Sequence, residues 1–226
     1  MQLDWDGAVN AWRVNAGLFR MGRREWVTDA GWAAAWRDGV RTVVDLRSDR
    51  ELAPRPDDAD ADPAALGVRV LRVPTEDPDD PAFEPLRPYL ASPEQYGHYL
   101  AAFGDRVAAA VLAVAEGPAG VVVHCSAGRD RTGLVIGLGQ QAAGVPADAI
   151  VAGWVRAAEG INAFHRHHHH PREGFLPGPE FAAHLEPRVA ALRSFLAAVD
   201  AVDLLRRRGA GPRQLAAVAA RFAPDG

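Results

Sequence analysis

The chain has a single cysteine and no lysine. One thiol, Cys125, cannot form an internal disulfide, which excludes a disulfide-held scaffold and suits a reducing compartment. All 25 basic residues are arginine. Without lysine there is no Schiff base and no ordinary Walker loop, so pyridoxal-phosphate enzymes, lysine aldolases and standard P-loop nucleotide hydrolases are excluded. Basic excess is also missing. A net charge of −4 and a pI near 6.1 argue against a general nucleic-acid or membrane-surface role. No run is read as reaching the ~20 apolar residues that span a bilayer, so membrane insertion is not expected. The opening MQLDWDGAVN is acidic and lacks a long apolar run, unlike a signal peptide. The expectation is a cytoplasmic protein. Its 226 residues, 48% of them hydrophobic, suit one globular domain over 1–226 with a sizeable core.

Patterning places the elements. Thr28 and Asp29 open a helix over 28–38, with Trp32 and Trp36 four apart on one face and Gly39 as its stop. Arg41 to Leu46 reads as an interior strand, because its apolar run is continuous. Residues 53–65 are rich in Pro and Asp and read as an exposed loop. Val68 to Val73 alternates apolar residues with Arg, as a strand with one wetter face does. A long acidic loop, PTEDPDDPAFEPLRP, follows, and loops of that length are often functional. The apolar spacing over 93–116 predicts a helix ended by Gly117-Pro118. A buried strand at 120–123 then runs directly into HCSAGRDRTG and an apolar, glycine-spaced helix. Further helices are expected from Pro146, across Leu185 to Val199 with a restart at Pro187, and from Gly211-Pro212. The six tryptophans are expected in the core. Strands alternating with helices give an α/β fold, a parallel-rich sheet flanked by helices with a helical C-terminal part.

The segment from His124 to Gly133 carries the chemistry. A buried strand ends, a short loop turns, and a helix begins. Backbone amides in such a loop point inward and the helix N-terminus adds partial positive charge, which makes a cradle for a tetrahedral oxyanion. The cradle residues are Ser126, Ala127, Gly128, Arg129, Asp130 and Arg131. Gly128 permits the left-handed backbone a tight cradle needs. Arg131 brings a planar fork that grips two phosphate oxygens. Cys125 begins the cradle, and the surrounding positive charge is expected to hold its thiol well below the ordinary ~8.5. Cys-x5-Arg alone is a weak signal in a chain with 25 arginines. The full string between a strand and a helix is a strong one.

HCSAGRDRTG resembles the His-Cys-x5-Arg-Ser/Thr-Gly signature of cysteine-based protein tyrosine phosphatases. The Ala-Gly-Arg-Asp-Arg form is similar to a bacterial tyrosine/serine phosphatase group linked to phosphoinositide phosphatases. GLFR, GVRTVVDLR and VPTEDPDD resemble the same group, so the likeness spans roughly residues 10–155. The chain departs from it where Asn10-Ala-Trp-Arg-Val-Asn-Ala-Gly17 replaces the usual Asn-Phe-Arg-Asp-Leu-Gly-Gly, and where Arg129 replaces a common Lys. The resemblance implies a tyrosine phosphatase-like fold and hydrolysis of phosphomonoesters through a Cys125 phosphocysteine, without metal or organic cofactor. Its implied partners are a phosphorylated protein or a phosphoinositide.

Roles follow from the resemblance and the chemistry together. Cys125 attacks phosphorus, and Arg131 with the loop amides stabilises the equatorial oxygens. Thr132 can donate its hydroxyl to the sulfur. His124 orders the loop, and Asp45 either anchors an Arg or loop amide or caps its strand. Arg47 could reach the phosphate site, but is read as a surface charge. The leaving oxygen needs an acid: Glu76, Asp77, Asp79 and Asp80 qualify by position, Asp77 is favoured, and Asp130 is its rival. His165 and His167 to His170 read as a solvated loop rather than a metal site, with a pH-dependent rim as the lesser reading. Three other classes stay open on residues alone: a rhodanese-like sulfurtransferase, a silent phosphate-binding module and an arsenate reductase. Arg131-Thr132-Gly133 argues against the first, the intact Cys, Arg and Thr against the second, and the lack of resolving thiols against the third.

Overall fold

The computed structural model describes residues 1–86, 92–118, 120–168, 170 and 172–225. Five strands form one sheet: β1 (Trp12–Asn15), β2 (Leu18–Met21), β3 (Thr42–Asp45), β4 (Arg69–Arg72) and β5 (Val121–His124), in the order β1-β2-β5-β3-β4. Only β1 runs antiparallel, through a hairpin with β2; the other pairings are parallel. Among the described residues seven α-helices accompany them: α1 (Asp29–Arg37), α2 (Tyr96–Glu116), α3 (Asp130–Ala142), α4 (Ala147–His165), α5 (Gly178–Ala198), α6 (Ala201–Arg207) and α7 (Pro212–Phe222).

Alternation along the strands explains why the sheet is covered on both sides. Val43 and Val122 face α1, with Trp5, Phe19, Trp32 and Ala35. Val44, Val121 and Val123 face the larger core built by α2, α3, α6 and α7. A strand buried on both faces has no polar side, hence the continuous apolar runs of β3 and β5. The register aligns Met21, Asp45 and His124, so three strands end at the same level, with the centre at β5. Sites in parallel sheets form beyond the carboxyl ends of such strands.

Sequence expectations meet this fold with several corrections. The β1–β2 hairpin and the seven-residue α6 are additional to the elements expected. Pro187 lies inside a continuous α5 rather than restarting it. Pro146 sits one residue before α4, at its N-cap. Trp5, Trp32 and Trp154 are core residues, but Trp12 and Trp26 are half-buried and Trp36 is 41% exposed. Trp36 falls in the last turn of α1, where the Arg41 guanidinium covers its ring at 4.2 Å. The stretch Pro93–Glu116 is long and apolar enough to cross a bilayer by length and composition, contrary to the reading of the runs. Its apolar residues, from Tyr96 to Ala115, pack into the core. The acidic loop expected over 74–88 falls outside the described residues at 87 and 88.

Candidate active site

The strand β5 ends at His124, and Cys125 to Arg129 turn into the first residue of α3. The carbonyls of this turn are held from behind, one after another. The Arg23 amide donates to the Ser126 carbonyl at 2.9 Å. The Asn10 side chain donates to Ala127 O at 2.9 Å. The Arg20 guanidinium donates to Gly128 O at 2.6 Å and to Arg129 O at 3.2 Å. The Tyr96 hydroxyl donates to Asp130 O at 2.9 Å. With five successive carbonyls tied outward, the amides between them are turned to the other side. Among the described residues the N–H groups of Ser126 to Arg129 donate to no protein acceptor. They form the concave donor array expected of an anion nest.

Gly128 has φ +69°, and a Cβ there would lie 2.2 Å from the Met21 carbonyl oxygen. The turn therefore needs glycine for both its hand and its closeness to β2. Cys125 lies at the bottom, 3% exposed at the edge of the larger core. Arg131 follows it in the first turn of α3.

Arg131 is pinned by two carboxylates. Glu51 takes both terminal nitrogens at 2.6 Å, and Glu76 accepts from Nη1 at 2.8 Å. Three of the five guanidinium N–H bonds are thus spent, and the Nε–H and the second Nη2–H remain as an adjacent pair. That pair is the fork that grips two oxygens of a phosphoryl group. Burial works against the arginine's charge, but Glu76, Glu51 and Cys125 outweigh it and hold its pKa above the ordinary value. Glu51 stays below the carboxylate range despite burial, through Arg131 and the Ser48 amide and hydroxyl. Glu76 is buried, and its other oxygen accepts from the Tyr99 hydroxyl at 2.8 Å. Burial and the Glu76 charge raise the Tyr99 pKa, keeping the phenol a donor.

The acid candidates separate. Asp77 turns outward and accepts from the exposed Arg106 of α2 at 2.6 Å. Asp79 pairs with Arg50, also exposed, and Asp80 caps the amide of Ala82. Among the described residues none of the three is hydrogen-bonded to the turn. Asp130 begins α3, 17% exposed at its side chain, with both oxygens near Arg129 Nε at 3.0 and 3.1 Å.

Support residues lie beneath. His124 Nδ1 is 3.1 Å from Cys125 O, and its Nε2 is 3.5 Å from Asp45 without hydrogen-bond alignment. Asp45 anchors an arginine, as one of its two readings had it: it accepts from the Arg47 amide, Nε and Nη2 at 3.1, 2.9 and 2.7 Å. Burial would raise the Asp45 pKa, but His124 and Arg47 drive it far below the carboxylate range. Arg47 is not a surface charge. It is buried between Asp45 and Glu25, so its pKa is raised despite burial. The Thr132 hydroxyl is buried and makes no hydrogen bond among the described residues, to Cys125 included.

The His-rich segment meets the lip of the turn. Arg129 donates through Nη1 and Nη2 to Glu173 at 3.0 and 2.8 Å. His165 closes α4 with Nδ1 3.9 Å from Glu173, and its ring stacks on His170 at 5.5 Å. Burial lowers the pKa of both imidazoles. His168 stacks on Phe164, which packs on Trp26, while His167 is exposed. His169 lies outside the described residues. Among the described residues no three His, Cys, Asp or Glu side chains converge as a metal site.

Several residues of this site were not among the sequence candidates, chief among them Asn10, Arg20, Tyr96, Glu51 and Glu173. Asn10 adopts φ +57°, a conformation asparagine tolerates, and this was the one local signal available. The departure from the Asn-Phe-Arg-Asp pattern does not remove its contact, since Asn10 also holds Ala157 O and accepts from Trp12.

The sequence pattern of the tyrosine phosphatase family matches residues 8–202, well past the span read from the signature and its flanks. The triple specificity protein phosphatase PtpB of Mycobacterium tuberculosis is 30% identical over 172 residues, covering 64% of this chain. The chain spans 62% of that relative's length. The core catalytic domain of the PP-IP phosphatase SIW14 from S. cerevisiae superposes with a TM-score of 0.46 at 14% identity, covering 88% of this chain and 90% of that one. TpbA of P. aeruginosa in complex with pTyr gives 0.45 at 16% identity, covering 92% and 99%.

Proposed function

The chain belongs to the tyrosine phosphatase family, and we propose that it hydrolyses phosphomonoesters through a phosphocysteine on Cys125. The observation that carries this is the turn whose carbonyls are all tied outward above a single buried thiol, with the free fork of Arg131 beside it. A phosphoryl group seated there meets amide donors and a guanidinium already oriented, so its developing charge is stabilised without reorganisation.

The thiolate attacks phosphorus and the bond to the leaving oxygen breaks, with Asp130 giving that oxygen its proton. Water then attacks the phosphocysteine, Asp130 takes a proton back, and orthophosphate and the thiolate are released. Asp130 is assigned over Asp77 because it opens α3 directly after the turn, whereas Asp77 lies on the acidic loop and faces α2; each is paired with an arginine, Arg129 and Arg106. Glu51 and Glu76 set the angle of Arg131, and Thr132, with a free buried hydroxyl, supplies a donor for the departing sulfur. The substrates are phosphorylated proteins, phosphotyrosine first, with phosphoinositides as the second class to assay. The name triple specificity borne by the M. tuberculosis relative supports testing more than one class.

Phosphate release from p-nitrophenyl phosphate tests the reading. The wild-type chain should turn it over, and Cys125→Ser should lose about four orders of magnitude or more. Turnover that survives Cys125→Ser would refute it.

A further inference from the structure

Arg129 stands at the lip of the turn, next to Asp130 and two residues before Arg131, and its guanidinium is 16% exposed. Every nitrogen of it already faces a carboxylate. Nε meets Asp130, and the two terminal nitrogens meet the two oxygens of Glu173 as a bidentate pair. A carboxylate and a phosphoryl group present similar oxygen pairs to a guanidinium fork. What fills that fork therefore excludes a phosphate from it.

Glu173 is not there by the accident of a free loop. The His170 ring accepts from the amides of Arg172 and Glu173 at 3.3 and 3.2 Å. Asn162 of α4 exchanges two hydrogen bonds with Leu176, at 2.9 and 3.0 Å, fixing the chain just beyond. Glu173 thus reaches Arg129 from a segment tied on both sides. The pair also changes the charge of the lip. Glu173 neutralises the guanidinium charge that would otherwise attract a second dianion close to the first.

We propose that Glu173 is a specificity-determining residue: it occupies the fork of Arg129 that a second phosphoryl group on the substrate would take, and so selects substrates carrying one phosphate over those carrying a neighbouring pair. This deepens the phosphatase reading and rests on it for which ligand enters the turn.

The test compares two ligands on one scaffold, dioctanoyl phosphatidylinositol 3-phosphate and dioctanoyl phosphatidylinositol 3,4-bisphosphate. Dissociation constants are measured in the Cys125→Ser chain, so selectivity is read whether or not phosphate transfer proceeds. Glu173→Gln should tighten the bisphosphate relative to the monophosphate by roughly tenfold, the size of one charge-assisted contact. Adding Arg129→Gln to Glu173→Gln should cancel that gain. An unchanged ratio in Glu173→Gln, a gain that persists without Arg129, or no binding of either ligand would each overturn the proposal. Failure of the phosphatase reading would show separately, as absent turnover of p-nitrophenyl phosphate by the wild-type chain.

Discussion

An alanine at position 128 would place its Cβ 2.2 Å from a carbonyl of β2, on a backbone held at φ +69°. No side-chain movement relieves a clash with main chain. Gly128→Ala is expected to cost about 1–3 kcal/mol of stability, measured by urea unfolding, together with most of the activity. Asp130 and Asp77 are separated by a second test. Asp130→Asn should lower kcat by about 100-fold for a poor leaving group such as phenyl phosphate and flatten the alkaline limb of the pH profile. Asp77→Asn should leave both within about twofold, as exposed changes usually do. The reverse pattern would transfer the proton to Asp77. At this scale the sequence was informative where chemistry is contiguous: Cys125, Gly128 and Arg131 stand in one ten-residue string. It was uninformative where partners come from afar, as with Glu51, 80 residues from Arg131.

Periodicity revealed neither α6 nor the hairpin of β1 and β2, and the hairpin does much to shape the turn. Burial does not alternate along β1, whose pairing shifts register between Arg13 and Asn15, while β2 carries the buried Arg20 within its apolar run. Yet Asn10 before β1 and Arg20 within β2 hold three carbonyls of a loop more than 100 residues away. Arg20 is buried, its hydrogen-bond partners among the described residues are carbonyls, and desolvation lowers its pKa to about 10. Asn10→Ala would leave Ala127 O, Ala157 O and Trp12 Nε1 without their partner. The expected cost is about 2 kcal/mol or more, seen as a shifted urea midpoint, with kcat falling as the turn loosens. A stability change without loss of kcat would mean that the turn keeps its shape without Asn10. The helices were easier to read because their signals are local: Thr28 caps α1 as expected, accepting from the Gly31 amide.

Across the whole molecule, buried ion pairs tie the strand ends together, and they fix a direction for the pH dependence of stability. Glu25, Asp45, Glu51, Asp58 and Glu173 all have pKa values below the ordinary carboxylate range, because arginine partners, and for Asp45 His124 first, outweigh burial. Below that range the unfolded chain binds protons that the folded chain does not. Their contribution is therefore complete above about pH 4.5 and is lost as pH falls through the depressed native values. His165, His170 and His184 have lowered values through burial, so the folded state also resists protons just below about pH 6.5. Thermal midpoints should be level above about pH 7, decline slightly toward pH 5.5, and drop steeply below pH 4. A midpoint that rises on acidification from pH 7 to 5 would contradict these assignments. The α/β class and the parallel core were legible because β3 and β5 are continuous apolar runs before turns. The order of the strands was not, since pairing between distant segments leaves no local trace.

The most direct test is the covalent intermediate itself. Wild-type chain mixed with p-nitrophenyl phosphate and quenched in acid within milliseconds should carry one phosphoryl group, located by mass spectrometry on Cys125. Rapid turnover with no phosphate on that sulfur would contradict the account.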